Sequence, residues 1–250
     1  MTLRRLAVVL PAYNEEGAIE ATVSDVLAKL PALVPDFFVV PVDDGSSDAT
    51  GAILDRMAAA GEARIVPVHN ATNLGYGGAL RAGFDRSLAL DASHVLFMDA
   101  DGQFDIADLA QLLPRLAQRD AVLGYRADRS DPPLRKLNAL AWQMLVWILY
   151  RVRVRDLACA FKLLPAPFLA SNRMISAGAM ISTEILVRMR RAGVSYAEVA
   201  VRHLPRTTGT ATGARPSVIL KAFVELVRLR SVLNREPKPV ATAQVGDHGE

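Results

Sequence analysis

The chain has 250 residues, 51% of them hydrophobic and 22% charged, which excludes a disordered protein and leaves ample length for a substantial core. A single cysteine, Cys159, excludes a disulfide framework and a cysteine-based zinc site, and suits a reducing compartment. The formal net charge is only +3, yet between Arg188 and Arg235 ten Arg or Lys residues face two acids, Glu198 and Glu225; this bias points to nucleic acid, a membrane surface or a phosphorylated substrate, or else to a solvated basic face.

Met1 leads almost at once into Leu6-Ala-Val-Val-Leu10, an apolar run too short for a signal peptide, so no leader is expected. No run approaches the roughly 20 apolar residues of a membrane-spanning helix. Leu6–Leu10 predicts a strand bounded by Pro11. Ile19, Val23, Val26, Leu27 and Leu30 then recur at helical spacing until Pro31. Phe37–Val42 predicts a second strand, and Ser46, Ser47 and Asp48 offer N-caps to a helix that Gly61 ends. Arg64–Val68 predicts a third strand, Ala79–Leu88 a third helix and His94–Met98 a fourth strand. Ile106–Leu113 predicts a helix that Pro114 ends or kinks, and Ala121–Leu123 a fifth strand. Uninterrupted apolar strands between amphipathic helices predict an α/β, Rossmann-like fold, its mainly parallel sheet covered by helices on both faces.

In such sheets ligands bind beyond the carboxyl ends of the strands. The unusual residues sit there: Tyr13-Asn-Glu-Glu16, Asp43-Asp-Gly-Ser46, Asp99-Ala-Asp101 and Gly124-Tyr-Arg126. Four polar clusters at independent strand ends are hard to obtain by chance. Asp99 and Asp101, one residue apart where a strand enters a Gly turn, can reach one point, and unpaired they would repel and resist burial. A hard divalent cation such as Mg²⁺ or Mn²⁺ resolves that and keeps positions open for phosphate oxygens. Alone, the pair reads as a surface Asp-Gly turn; its neighbours make the difference.

From Arg126 the pattern changes. Asp128–Arg135 is a polar loop with two prolines, and Leu137–Tyr150 is nearly all apolar. That run carries Trp142, Trp147 and Tyr150 between Arg135-Lys136 and Arg151, Arg153 and Arg155, bookends that favour a helix lying at a membrane interface over one buried in the core. Ala160–Leu164 and Tyr196–Arg202 predict strands, and Ser182–Arg191 a helix ended by Gly193. His203–Gly213 is a polar loop around Arg206, and Pro216 opens an amphipathic helix. The expected organisation is one domain over 1–235, divided into 1–125 and 126–235, with a disordered tail over 236–250.

Two competing motifs fail. A phospho-accepting receiver domain is about half this length and needs a Lys after its last strand, which nothing supplies beside these acids. Asn73–Arg81 is neither G-x-G-x-x-G after the first strand nor a P-loop, although its glycines can let backbone approach a ligand and aim amides at anions.

In order, Leu10-Pro-Ala-Tyr-Asn-Glu-Glu16, Val42-Asp-Asp-Gly-Ser-Ser-Asp48, Asn73-x-Gly-x-Gly-x-Ala79, Met98-Asp-Ala-Asp-Gly-Gln103 and Gly124-Tyr-Arg126 resemble the motifs of family 2 glycosyltransferases of the GT-A fold. Asp156, Phe161-Lys162, Glu184 and His203-x-Pro-Arg206-x-x-Gly209 extend the resemblance to polyprenyl-phosphate sugar synthases, the dolichol-phosphate mannose and glucose synthase group. The resemblance implies a single GT-A domain with C-terminal helices. It also implies that Pro11, Tyr13, Glu15 and Asp43 line the base and ribose pocket, with Asp44, Gly75, Arg81, Asp99 and Ala100 on the donor side. Asp99, Asp101 and Gln103 would hold Mg²⁺ or Mn²⁺ against the donor diphosphate. Arg126, Arg135 and Arg206 would receive the acceptor phosphate, with Lys136 able to substitute for Arg135, and Asp101, Arg126 and Arg206 would carry catalysis. The implied reaction is inverting transfer of a hexose from a nucleotide-sugar donor, GDP-mannose or UDP-glucose, to polyprenyl phosphate. It would take place at the anionic inner face of the cytoplasmic membrane, with docking direct or through a separate membrane protein and with no nucleic acid partner. The alternatives are a soluble or polysaccharide acceptor on the same fold, and a non-catalytic lipid- or nucleic-acid-binding module.

Overall fold

Leu6–Ala12 forms strand β1, and every residue in it is buried. Successive side chains of a strand point to opposite faces, so this unbroken burial requires cover on both. In the computed structural model, which describes residues 2–127, 133–205 and 216–236 without the side chains of 133–138 and 216–223, β1 is central. It pairs in parallel with β2 (Phe37–Asp43), from Leu6 opposite Phe37 to Ala12 opposite Asp43, and on its other side with β4 (His94–Phe97). The remaining strands are β3 (Val68–His69), β5 (Ala121–Arg126), β6 (Lys162–Pro165) and β7 (Tyr196–Val201), and the seven-stranded sheet has the order β3-β2-β1-β4-β6-β5-β7. β6 alone in this sheet runs antiparallel, against both β4 and β5. The helices are α1 (Ile19–Lys29), α2 (Thr50–Ala59), α3 (Tyr76–Ala89), α4 (Leu109–Leu112), α5 (Pro133–Tyr150), α6 (Ala166–Ser171), α7 (Ile181–Arg191) and α8 (Pro216–Arg235).

Three expectations need correction. The third strand is not continuous over Arg64–Val68. Val39 N–H donates to Arg64 O and Val66 N–H to Val39 O, but in this register the next donor from β2 falls on Pro41, which has no N–H to give, and regular pairing is confined to Val68–His69. The helix expected over Ile106–Leu113 is a short α4 between two 3₁₀ turns, Ile106–Asp108 and Leu113–Ala117. Glu236, expected to open a tail, is ion-paired with Arg188 at 2.8 Å; residues 237–250 lie outside the described residues.

His94 opens β4 wholly buried, with no hydrogen-bond partner on Nε2 among the described residues and Ser93 Oγ 3.3 Å from Nδ1. Burial holds its pKa down at about 4, against about 6.5 in the unfolded chain. Between those values the unfolded state takes up a proton that the native state refuses. The contribution of neutral His94 is therefore full above about pH 6.5 and is lost as pH falls toward 4, by roughly 3 kcal/mol in all. Urea melts at about pH 7 and pH 4.5 should show the wild type losing more stability than His94→Leu by most of that amount.

Candidate active site

β1 and β2 end side by side, so the loops after them meet. Asn14, at φ +56°, adopts a left-handed conformation that Asn tolerates better than most residues, and its Oδ1 accepts from Ser47 N–H at 2.8 Å. Its own N–H donates to Ser46 Oγ, while Glu15 N–H donates to Thr50 Oγ1 and Glu16 accepts from Ala49 N–H. Pro11 is buried beneath this junction and Tyr13 stands exposed beside it. Asp43 is nearly buried: Oδ1 accepts from Ser46 N–H at 2.9 Å, and Oδ2 lies 3.3 Å from His69 Nδ1. Asp44 turns to the next loop, where its Oδ1 accepts from Asn70 Nδ2 at 2.7 Å and Leu74 N–H at 3.0 Å. Its visible work is to brace that loop.

The loop delivers the glycines. A Cβ on Gly75, which sits at φ +79°, would lie 2.6 Å from Ala177 O, and one on Gly77 only 2.2 Å from Ser176 O. Gly77 N–H donates to Ala177 O at 2.7 Å, and Arg81 Nη1 donates to Ser176 O. Close backbone docking on residues 176–177 thus explains these glycines. Gly77→Ala is expected to force the two segments apart and cost roughly 1–3 kcal/mol, visible in a thermal melt. Tyr76, between the glycines, opens α3 and donates its hydroxyl to Asp99 Oδ1 at 2.9 Å, which ties the loop to the end of β4.

Asp101 is 6% exposed and its Oδ1 accepts from Gln103 N–H. Burial, and after it the charge of Asp101, pushes the pKa of Asp99 up to about 6. Two carboxylates repelling in a partly buried place are a fitting donor set for a hard divalent cation. The described residues hold no group of three or more His, Cys, Asp or Glu placed to ligate a metal, so the shell would be completed by other oxygens, from an amide, a bound ligand or water. Gln103 is clasped to the chain by Leu204, accepting its N–H at 2.8 Å and donating Nε2 to its carbonyl at 3.1 Å; Oε1 is the amide atom that could reach a cation. Ala100 is buried and offers only its carbonyl, which accepts from Thr22 Oγ1.

Residues 7–165 match the profile of Glycosyl transferase family 2. The chain belongs to that family. It is 34% identical over 213 residues to glycosyltransferase AglD of Haloferax volcanii, over 80% of this chain and 33% of that protein. It is 34% identical to the polyprenol monophosphomannose synthase of Mycolicibacterium smegmatis, over 49% of this chain and 45% of that one. The chain therefore spans a third to just under half of these two relatives. Against the undecaprenyl-phosphate mannosyltransferase of Micrococcus luteus it is 28% identical over 82% of this chain and 86% of that enzyme. A crystal structure of glucosyl-3-phosphoglycerate synthase from Mycobacterium tuberculosis, in complex with Mn²⁺, UDP and glucosyl-3-phosphoglycerate, superposes with a TM-score of 0.67 at 19% identity, over 94% of this chain and 81% of that one. The fold is the α/β GT-A fold.

Beside the acidic pair this family 2 member places two cations. Lys162, opposite Phe97 in the β4–β6 register, is wholly buried. Its Nζ donates to the carbonyls of Leu157 and Cys159 and stands 5.5 Å from the Phe97 ring centroid, and burial lowers its pKa. Arg126, at the end of β5, is gripped by Asp156: Nε to Oδ2 at 2.7 Å and Nη2 to Oδ1 at 3.0 Å. Both charges draw the pKa of Asp99 back down, so both are felt at that carboxyl. The Arg135 side chain and all of Arg206 lie outside the described residues. The stretch before Arg206 is anchored, with Arg202 Nε on Asp108 at 2.8 Å, Nη2 on Asp105 at 3.0 Å, and the His203 ring edge-on to Phe104.

Sequence reasoning assigned no role to Tyr76, Lys162 or Asp156, and missed the Ser176–Ala177 ledge. A Lys inside the apolar run Ala160-Phe-Lys-Leu-Leu164 is a legible sign of a buried cation. The ledge has no such sign, because it acts through backbone carbonyls.

Proposed function

We propose that this family 2 transferase moves a hexose from a nucleotide-diphosphate sugar, GDP-mannose or UDP-glucose, to polyprenyl phosphate at a membrane surface, with inversion. The reading is carried by the Asp99–Asp101 pair at the end of β4, within electrostatic reach of Arg126. It is supported by reciprocal coverage with an enzyme named for undecaprenyl phosphate. Asp43 accepts from the base, with Tyr13, Glu15 and Pro11 around it. Asp99, Asp101 and Gln103 would hold Mg²⁺ or Mn²⁺, which when bound offsets charge on the departing diphosphate. Arg126, Arg135 and Arg206 receive the acceptor phosphate, for which the planar guanidinium fork suits paired oxygens. That phosphate is already ionised near neutral pH, so the residues need to position it and not to deprotonate it. Attack in line with the leaving diphosphate inverts the anomeric carbon.

None of the described helices is long and apolar enough to cross a membrane. Contact with the surface is supported by α5, where Leu140, Met144, Trp147 and Ile148 are exposed at helical spacing and Arg151 stacks 5.0 Å from the Trp147 ring. An apolar, aromatic stripe with basic flanks is what an interfacial helix presents to anionic lipid.

A thermal-shift panel with Mn²⁺ is expected to pick out one donor among GDP-mannose, UDP-glucose and related sugars, since a ligand of the native state raises the melting temperature. The selected donor should then support product formation on a short polyprenyl phosphate. A shift with no donor, together with no transfer, would overturn the reading.

A further inference from the structure

Helices α5, α7 and α8 line a crevice that includes none of the residues proposed for sugar transfer. It has a volume of about 240 Å³, with Leu149, Val187 and Leu233 supplying apolar walls and Arg190, Arg191 and Arg230 the charge. Tyr150 fixes two of its sides, donating its hydroxyl to Leu226 O at 2.7 Å and so tying α5 to α8.

The cations are held in place. Arg190 Nη1 donates to Arg151 O, while Arg191 donates Nη1 to Leu233 O and Nη2 to Glu236 O. These bonds orient both guanidiniums while using only part of each five-donor fork. Among the described residues lining the crevice there is no acid, and the Glu236 carboxylate is engaged with Arg188 at 2.8 and 3.2 Å. Capping of helix ends accounts for Arg190 and Arg191. It does not account for Arg230, an exposed cation that joins them around the apolar walls.

We propose that this crevice binds the headgroup phosphate of an anionic phospholipid, with the start of its acyl chain against Leu149, Val187 and Leu233. Three arginines beside apolar walls complement a ligand that is anionic at one end and apolar at the other; a free phosphate would leave the walls unused. Its position agrees, because Arg190 holds the carbonyl of Arg151, the residue stacked on Trp147 of the exposed α5 stripe. The proposal rests on the surface-contact reading above and not on the chemistry of sugar transfer.

The test is flotation of the full chain with vesicles of phosphatidylcholine alone or with roughly one fifth phosphatidylglycerol, without any sugar donor, so its outcome is separate from that of the transfer reading. Wild type is expected to float with the mixed vesicles and not with phosphatidylcholine. Arg230→Gln should weaken binding about thirtyfold through loss of a charge-assisted contact. Arg228→Gln, also an exposed cation on α8 but outside the crevice lining, should weaken it about fivefold at most. Both variants should keep the wild-type melting temperature. Equal losses in the two variants, or wild-type binding indifferent to phosphatidylglycerol, would overturn the crevice. So would an Arg230-dependent rise in melting temperature with inorganic phosphate or glycerol phosphate that matches the rise with mixed vesicles, an outcome that assigns the site to a soluble ligand.

Discussion

Asp101→Asn is expected to lower sugar transfer by roughly a thousandfold and to leave the fold intact. Asn keeps the shape of the side chain, and its amide oxygen can still accept the Gln103 N–H that Asp101 Oδ1 accepts now. What it removes is one of two negative charges in a confined place. Asp99 is pushed up to about 6 by burial and by the charge of Asp101, so neutralising Asp101 relieves a repulsion, and the metal-free variant should melt at or above the wild-type temperature. With Mn²⁺ and the donor the order should reverse, because only the wild type keeps two anionic oxygens for the cation. Melting curves with and without Mn²⁺ and donor, beside a transfer assay, separate charge from fold. Wild-type transfer by Asp101→Asn would remove the pair from the mechanism.

The parts of this arrangement that the sequence reveals are those written in side chains next to each other. β1, β2 and β4 are legible because burial on both faces demands unbroken apolar runs, and the acids at their ends stand out against those runs. β3 is shorter than its apolar run because such a run says nothing of which N–H groups can pair, and the β2 donor that should meet Val66 O falls on Pro41, which has none. The direction of β6 is invisible for a related reason: Lys162–Pro165 reads the same whether it runs with β4 or, as it does, against it. Arg126 was expected as a receiver of phosphate, and its position at a strand end is as expected. Its bidentate grip by Asp156 links residues distant in sequence, which only the fold brings together. Tyr76 occupied an unspecified place in its own motif, and its bond to Asp99 depends on the turn that the flanking glycines allow.

The second large effect is expected at Glu184, far in sequence from every strand-end cluster. Glu184 is wholly buried. It accepts Ile175 N–H at 3.0 Å and Ser176 N–H at 2.8 Å, and pairs with Arg188 Nε at 2.7 Å. Arg188, itself 3% exposed, reaches on to Glu236. Glu184→Ala would orphan two backbone donors, at about 1–3 kcal/mol each, and take one partner from a buried cation, a change that costs roughly 3–5 kcal/mol when it breaks a buried pair. Relaxation and the remaining Glu236 contact reduce the sum, so a loss of about 4 kcal/mol is expected in urea melts, with Glu184→Gln losing about half of that. The consequence for function follows from what residues 175–177 support. They are the ledge on which Gly75 and Gly77 dock, and between those glycines Tyr76 holds Asp99. Loosening the ledge should therefore raise the donor KM in Glu184→Gln well before it alters the KM for the proposed polyprenyl phosphate acceptor, at temperatures where the variant is still folded. Equal changes in the two constants would show that Glu184 serves stability alone and does not support the donor side.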